Sequence, residues 1–198
     1  MTASQATSRQ QRSTLLAVLG LNLGLAGALG VGGWLADSSA LLANAVDNAS
    51  DAVVYMISLL AIGRADAWKR RAARVSGIFL LLFAIGVLFD AGRRWLEGTE
   101  PVGWTMMSLA LLAAIVNLVC LWLLRRLRTD DVNMKAAQTF SLNDFASNGG
   151  IIVAGLLVLW LGSAWPDLVV GALVAVIAAK GGIDILNDAR TPKTESEG

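Results

Sequence analysis

Asp47 and Asp51 stand four residues apart in one apolar stretch of the chain, and Asp144 stands in another. A spacing of four places the first two carboxylates on one helical face, a turn apart. An ionised side chain at the middle of a bilayer costs about 2.5–3.5 kcal/mol on insertion scales, so three at similar depth are expected to face one another across an interior cavity. Clustered carboxylates repel and lose hydration, so a cation or protons must compensate them. Either occupant neutralises the same charge, which is the coupling logic of a cation/proton exchanger. The alternative reading is a set of protonated acids that hydrogen-bond helices together.

Neighbouring polar residues extend this constellation. Asn44 and Ser50 lie three residues either side of Asp47; Ser141 and Ser147 lie three either side of Asp144, with Asn148 one further on. They offer oxygen ligands completed by water, or interhelical hydrogen bonds. Asn22 and Asn117 are open to the same two readings.

The elements that must position these residues follow from composition and hydropathy. Of 198 residues, 56% are hydrophobic and 16% charged, against roughly 45–50% and 25% in a soluble domain. Mean hydropathy is +0.62. An ordinary soluble enzyme and a disordered chain are both excluded by that surplus. A net charge of +1 gives no basic field for nucleic acid. The chain has no histidine, which removes the usual proton shuttle, and its single cysteine, Cys120, excludes an internal disulfide. Without Ser–His or Cys–His pairs, no enzyme is expected.

A helix needs about 20 mostly apolar residues to cross a bilayer. Six such stretches fill the chain: Thr14–Ala36, Ala40–Gly63, Val75–Leu96, Val102–Leu124, Asn133–Leu161 and Pro166–Asp188. The expected fold is therefore all-α, an integral membrane protein with six transmembrane helices over residues 14–189. Residues 1–13 and 190–198 read as short cytosolic tails. Of the 16 Lys and Arg, only Arg93 and Arg94 fall on the side opposite the termini. Basic residues stay cytoplasmic, so both termini are expected inside. Trp34, Trp95, Trp104, Trp160 and Trp165 fall at outer span ends, and Trp68 and Trp122 at inner ones, where an indole ring prefers to sit. Asp90 is spaced to pair with Arg93 and Arg94, and Asp184 and Asp188 repeat the four-residue interval near the last inner end. Those two are either solvated or attract cations to a cytoplasmic mouth. Gly20, Gly24, Ala28 and Gly32 give the first span one small face, open to close helix approach.

Two motifs carry a family resemblance. SALLANAVDNASD, residues Ser39–Asp51, resembles the second-helix signature of the cation diffusion facilitator family, and NMKAAQTFSLNDFASNGG, Asn133–Gly150, resembles that of the fifth helix. Asn22, the FDAGRRWLEG segment, Asn117 and the WPDLVVGALVAVI run extend the likeness over nearly all of the membrane region. The resemblance implies a divalent metal cation/proton antiporter, a homodimer, with two metal ligands from helix two and two from helix five. It maps three of them onto Asp47, Asp51 and Asp144. The fourth ligand position holds Phe140, which has no lone pair to offer, so Ser141, Asn148 or water would fill the shell. A three-aspartate oxygen site departs from the nitrogen and sulfur ligands that zinc favours and suits harder cations as well. The chain also stops ten residues past Asp188, where many family members continue into a cytosolic metal-binding domain, so a member without that domain is expected.

The expected function is proton-coupled efflux of a divalent cation of the zinc, cadmium, cobalt, iron(II) or manganese class from the bacterial inner membrane. The metal is substrate and the protons counter-ion, with no resident cofactor. Two alternatives belong to other classes: a non-transporting partner subunit that keeps the fold, and an exporter of organic cations.

Overall fold

The computed structural model describes residues 3–60, 66–126 and 132–190. These residues form six helices: α1 (Ala3–Leu35), α2 (Ser39–Leu60), α3 (Asp66–Glu97), α4 (Gly103–Arg125), α5 (Val132–Leu161) and α6 (Trp165–Asp188). Among the described residues there is no strand, and the protein is an all-α integral membrane protein. Each expected span lies on its own helix as far as the described residues reach, the last three residues of the second, 61–63, lying outside them. α1 begins at Ala3, however, so from there onward the polar amino-terminal stretch is helical and continuous with the first span. Hydropathy marks the apolar part of a helix, whereas backbone hydrogen bonding carries the helix on into polar sequence.

Among the described residues, α1, α3, α4 and α6 are long and apolar enough to cross a bilayer by length and composition alone. The aspartates are carried by the other two helices, α2 and α5, and Ser147–Leu161 of α5 is a shorter apolar stretch among the described residues. Their polar residues are admitted because they face inward.

α2 is the central helix and touches each of the other five. Around it α1, α4, α5, α6 and α3 form an arc in which each touches the next. On one flank of α2, Leu25, Leu29, Leu41, Met106 and Ile151 close a core with α1, α4 and α5. On the other, Ala43 and Val46 meet Ala84, Val174, Ala175 and Ala178 of α3 and α6. Small side chains dominate this second flank, as they do where membrane helices approach closely. The outward faces are apolar, with Phe79, Phe83, Phe89, Leu111, Ile115, Leu156 and Leu173 all exposed. Such a surface is stable against acyl chains and not against water. Trp34, Trp95, Trp104, Trp160 and Trp165 are exposed around the α1–α2, α3–α4 and α5–α6 turns, and Trp122 is exposed near the opposite end. Trp68 lies outside the residues whose side chains are described.

Each of the three helices entering those turns stops at a residue with left-handed backbone: Asp37 (φ 53°), Gly98 (φ 89°) and Gly162 (φ 61°). At α1 the Ser38 N–H donates to Gly33 O at 2.9 Å and the Asp37 N–H to Trp34 O at 3.3 Å. That pair of bonds is a Schellman motif, with an aspartate in the position glycine usually takes. The side chain gained there ties the turns together. The Asp37 carboxylate accepts from the Arg94 guanidinium, from the Thr99 hydroxyl at 2.6 Å and from the Glu100 N–H at 3.2 Å. Asp90 accepts from Arg93 at 2.9 Å and from Arg94 as its spacing predicts. The link from Arg94 to Asp37 spans 57 residues of sequence and has no local signature. Burial pushes the Asp37 carboxyl up, but the bonds from Thr99 and Glu100 and the charge of Arg94 together outweigh it, and it sits below the ordinary carboxylate value.

Candidate metal centre

The start of α2 is fixed from α6. Ser38 caps the helix, its Oγ accepting from the Leu41 N–H at 3.2 Å. The fully buried Asp167 carboxylate, in the first turn of α6, accepts from the Ser38 hydroxyl at 2.5 Å and from the Ser39 and Ala40 N–H groups at 2.7 and 3.1 Å. An anion on the amino end of a helix is favoured by the unpaired N–H groups and the helix dipole. Close approach is possible because Gly171 has no side chain: a Cβ there would lie 2.7 Å from the Ser39 carbonyl carbon and 2.8 Å from the Ala40 nitrogen. α6 therefore crosses α2 in direct backbone contact.

Asp47 and Asp51 follow on α2, one turn apart, with α5 bringing Asp144 against them. All three are buried. The Asp144 carboxyl is close enough to interact directly with both the Asp47 and the Asp51 carboxyls. Asp47, Asp51 and Asp144 line one cavity of about 470 Å³ between α2, α5 and α6, together with Ser50 and Ser147. Its α6 wall includes Lys180, Gly181 and Asp184, of which Lys180 and Asp184 are exposed. The cavity thus runs from the buried acids toward the carboxy-terminal part of α6. One oxygen of Asp51 and one of Asp144 are buried with no hydrogen-bond partner. A buried unpaired carboxylate oxygen is strongly unfavourable, so the donor set fits a cation or protons. Among the described residues, no three His, Cys, Asp or Glu side chains stand in a geometry ready to enclose a metal ion. The acids share a chamber without being drawn together into a closed coordination shell.

Buried asparagines join α2 to α5 one turn from the acids. The Asn44 amide donates to the Asn148 Oδ1 at 2.7 Å, joining α2 to α5. Asn48 donates to the Asn44 carbonyl at 2.9 Å, and Asn148 to the Asp144 carbonyl at 2.8 Å. Both Asn44 and Asn148 are fully buried. Of the two readings left open by the sequence, interhelical hydrogen bonding describes this pair. Ser50 and Ser147 instead line the chamber. Asn22 donates to the Val18 carbonyl at 2.9 Å and lies with Asn117 and Cys120 buried at the α1–α4 side. Phe140 and Ser141 lie on α5, but their side chains are outside the described residues, as is that of Asp188. Gly20 and Gly24 face open space, but Gly32 of the same small face lies tight against the Leu109 side chain of α4, and Gly33 beside it packs against Leu41 and Leu42 of α2.

A family model, the cation efflux transmembrane domain, matches residues 15–191. Among curated proteins, the chain is 24% identical over 172 residues to the cadmium, cobalt and zinc/H(+)-K(+) antiporter of Bacillus subtilis strain 168, covering 80% of this chain and 55% of that protein. It is 28% identical over 200 residues to the zinc transporter ZitB of Escherichia coli K12, covering 94% and 64%. It is 27% identical over 158 residues to the metal cation efflux system protein CzcD of Cupriavidus metallidurans, covering 74% and 50%. The chain spans about half to just under two thirds of the length of these relatives.

Proposed function

Because the chain belongs to the cation efflux family of transmembrane domains, we propose that it carries a divalent metal cation across a bacterial plasma membrane in exchange for protons. The observation that carries this reading is the chamber itself: three buried aspartates on two helices, two of their oxygens unpaired, opening past Lys180 and Asp184. A dication arriving from that end meets Asp47, Asp51 and Asp144 as ligands, with Ser50, Ser147 and water as further oxygens. Protons bound to the same carboxylates are displaced as the metal enters and return as it leaves. One turn from these ligands the buried Asn44–Asn148 bond joins α2 to α5. The metal is substrate, and no resident cofactor is required.

The relatives are named for zinc, cadmium and cobalt, and these head the proposed substrates, with iron(II) and manganese admitted by an all-oxygen donor set. Both termini are proposed to be cytoplasmic, with the chamber open to the cytoplasm, and two copies are proposed to work as a dimer.

The test is uptake by the purified chain in proton-loaded liposomes, with zinc, cadmium, cobalt, iron(II) and manganese offered in turn. Metal entry coupled to internal alkalinisation is expected for at least one ion. A chain that moves none of them, while a panel of cationic dyes is transported, fits the organic-cation reading instead. A chain that moves nothing fits a silent partner subunit.

A further inference from the structure

Lys180 is a fixed cation on the wall of a chamber built from aspartates. It projects from α6 at the position where that helix turns Gly181 toward Ser50, whose Oγ lies 3.5 Å from where a Gly181 Cβ would be. Among the described residues it makes no ion pair, and Asp184 one turn on is the other charged group at the mouth. Its ammonium is carried on a flexible four-carbon stem, and the residue lines the same cavity of about 470 Å³ as Asp47, Asp51 and Asp144. Two of those carboxylates each present a buried oxygen with no partner.

We propose that Lys180 is a tethered competitor for the metal, a specificity-determining residue that weakens binding of the divalent cation and speeds its release toward the mouth. This inference rests on the transport reading above. When the chamber holds no metal, the ammonium reaches inward and partly satisfies the unpaired carboxylates. An entering dication displaces it toward Asp184 by like-charge repulsion, and its return helps to expel the ion. A univalent guest meets half the repulsion that a divalent one does, so the lysine also sets how steeply the site discriminates by charge.

The experiment compares the full chain, Lys180→Gln and Lys180→Arg at alkaline pH, using zinc and cadmium alone as probes for equilibrium binding and for transport kinetics in liposomes. Removing one positive charge from the wall of a chamber that holds a dication, in surroundings between water and protein, is worth roughly a tenfold change in affinity. Lys180→Gln is expected to bind zinc about tenfold more tightly, with a lower KM and a lower kcat as release slows. The difference should shrink as ionic strength rises. Lys180→Arg keeps the charge and should retain the wild-type values. Equal or weaker binding by Lys180→Gln overturns the inference, as does Lys180→Arg behaving like Lys180→Gln. If the wild-type chain binds neither probe, the transport reading fails and takes this inference with it. If the wild type binds and Lys180→Gln is indistinguishable from it, only the role of Lys180 is lost.

Discussion

Asn44 and Asn148 meet across α2 and α5 at 2.7 Å, one turn from Asp47 and Asp144 on their respective helices. The bond is buried on both sides. Removing either amide leaves the other with a lost partner in an apolar setting, which costs about 1–3 kcal/mol. Measured polar couplings between membrane helices average about 0.6 and reach about 1.7 kcal/mol. A double-mutant cycle of Asn44→Ala and Asn148→Ala, read by unfolding in detergent, should therefore return a coupling of about 1 kcal/mol. Additive losses would show that the bond does not hold the two helices together.

Asp51→Asn and Asp144→Asn each remove a charge and a ligand from the chamber while keeping its shape. Changing even an outer-shell partner of a metal site lowers affinity or activity about 10–100-fold, so metal-driven proton flux should fall at least roughly a hundredfold in each variant. Thermal stability in detergent should hold or rise, because a buried unpaired charge has been removed. Near-normal flux in both variants would exclude these residues from the site.

Crowding at the α2–α6 crossing gives a paired prediction. Gly171→Ala places a methyl 2.7 Å from the Ser39 backbone, and overpacking of that kind costs about 1–3 kcal/mol. Gly20→Ala on α1 meets nothing within 4 Å and should be neutral, or stabilising by up to about 1 kcal/mol through helix propensity. Melting temperatures of the two variants beside the parent chain decide it.

Asp37 predicts an acid-dependent loss of stability at the turn end. Its folded-state value lies below the unfolded value of 3.8. A depressed carboxyl contributes stability above the unfolded value, and loses it as pH falls through the folded one. The contribution should therefore be fully present at neutral pH and fade below about 3.8. Asp37→Asn should melt lower than the parent at neutral pH, with the gap closing in acid. A gap that persists at the acid end would assign the loss to the hydrogen bonds with Thr99 and Glu100 rather than to charge.

The sequence was most informative where hydropathy is one-dimensional. All six spans land on helices, because an apolar run long enough to cross a bilayer has few other folded forms. The three acids were visible for the converse reason, as charges in runs that otherwise exclude them. Pairings between distant segments were not legible. Asp167 reads locally as an acidic residue in the first turn of a helix, yet its partners are 127–129 residues away. Arg94 announces its bond to Asp90 by spacing but gives no sign of Asp37. The asparagines allowed two readings that only the relative rotation of α2 and α5 separates. Lys180 carries no local sign of the acids, and its place on the chamber wall depends on how α6 leans against α2.

The Asp167 clasp on the start of α2 acts as a rivet between two blades. With α6 pinned to α2 beside Gly171, any scissoring of the pair moves that junction least and the far tips most. Lys180 and Asp184 lie toward the end of α6 remote from that fastening, so a tilt of the helix about it would displace them further than it displaces Gly171.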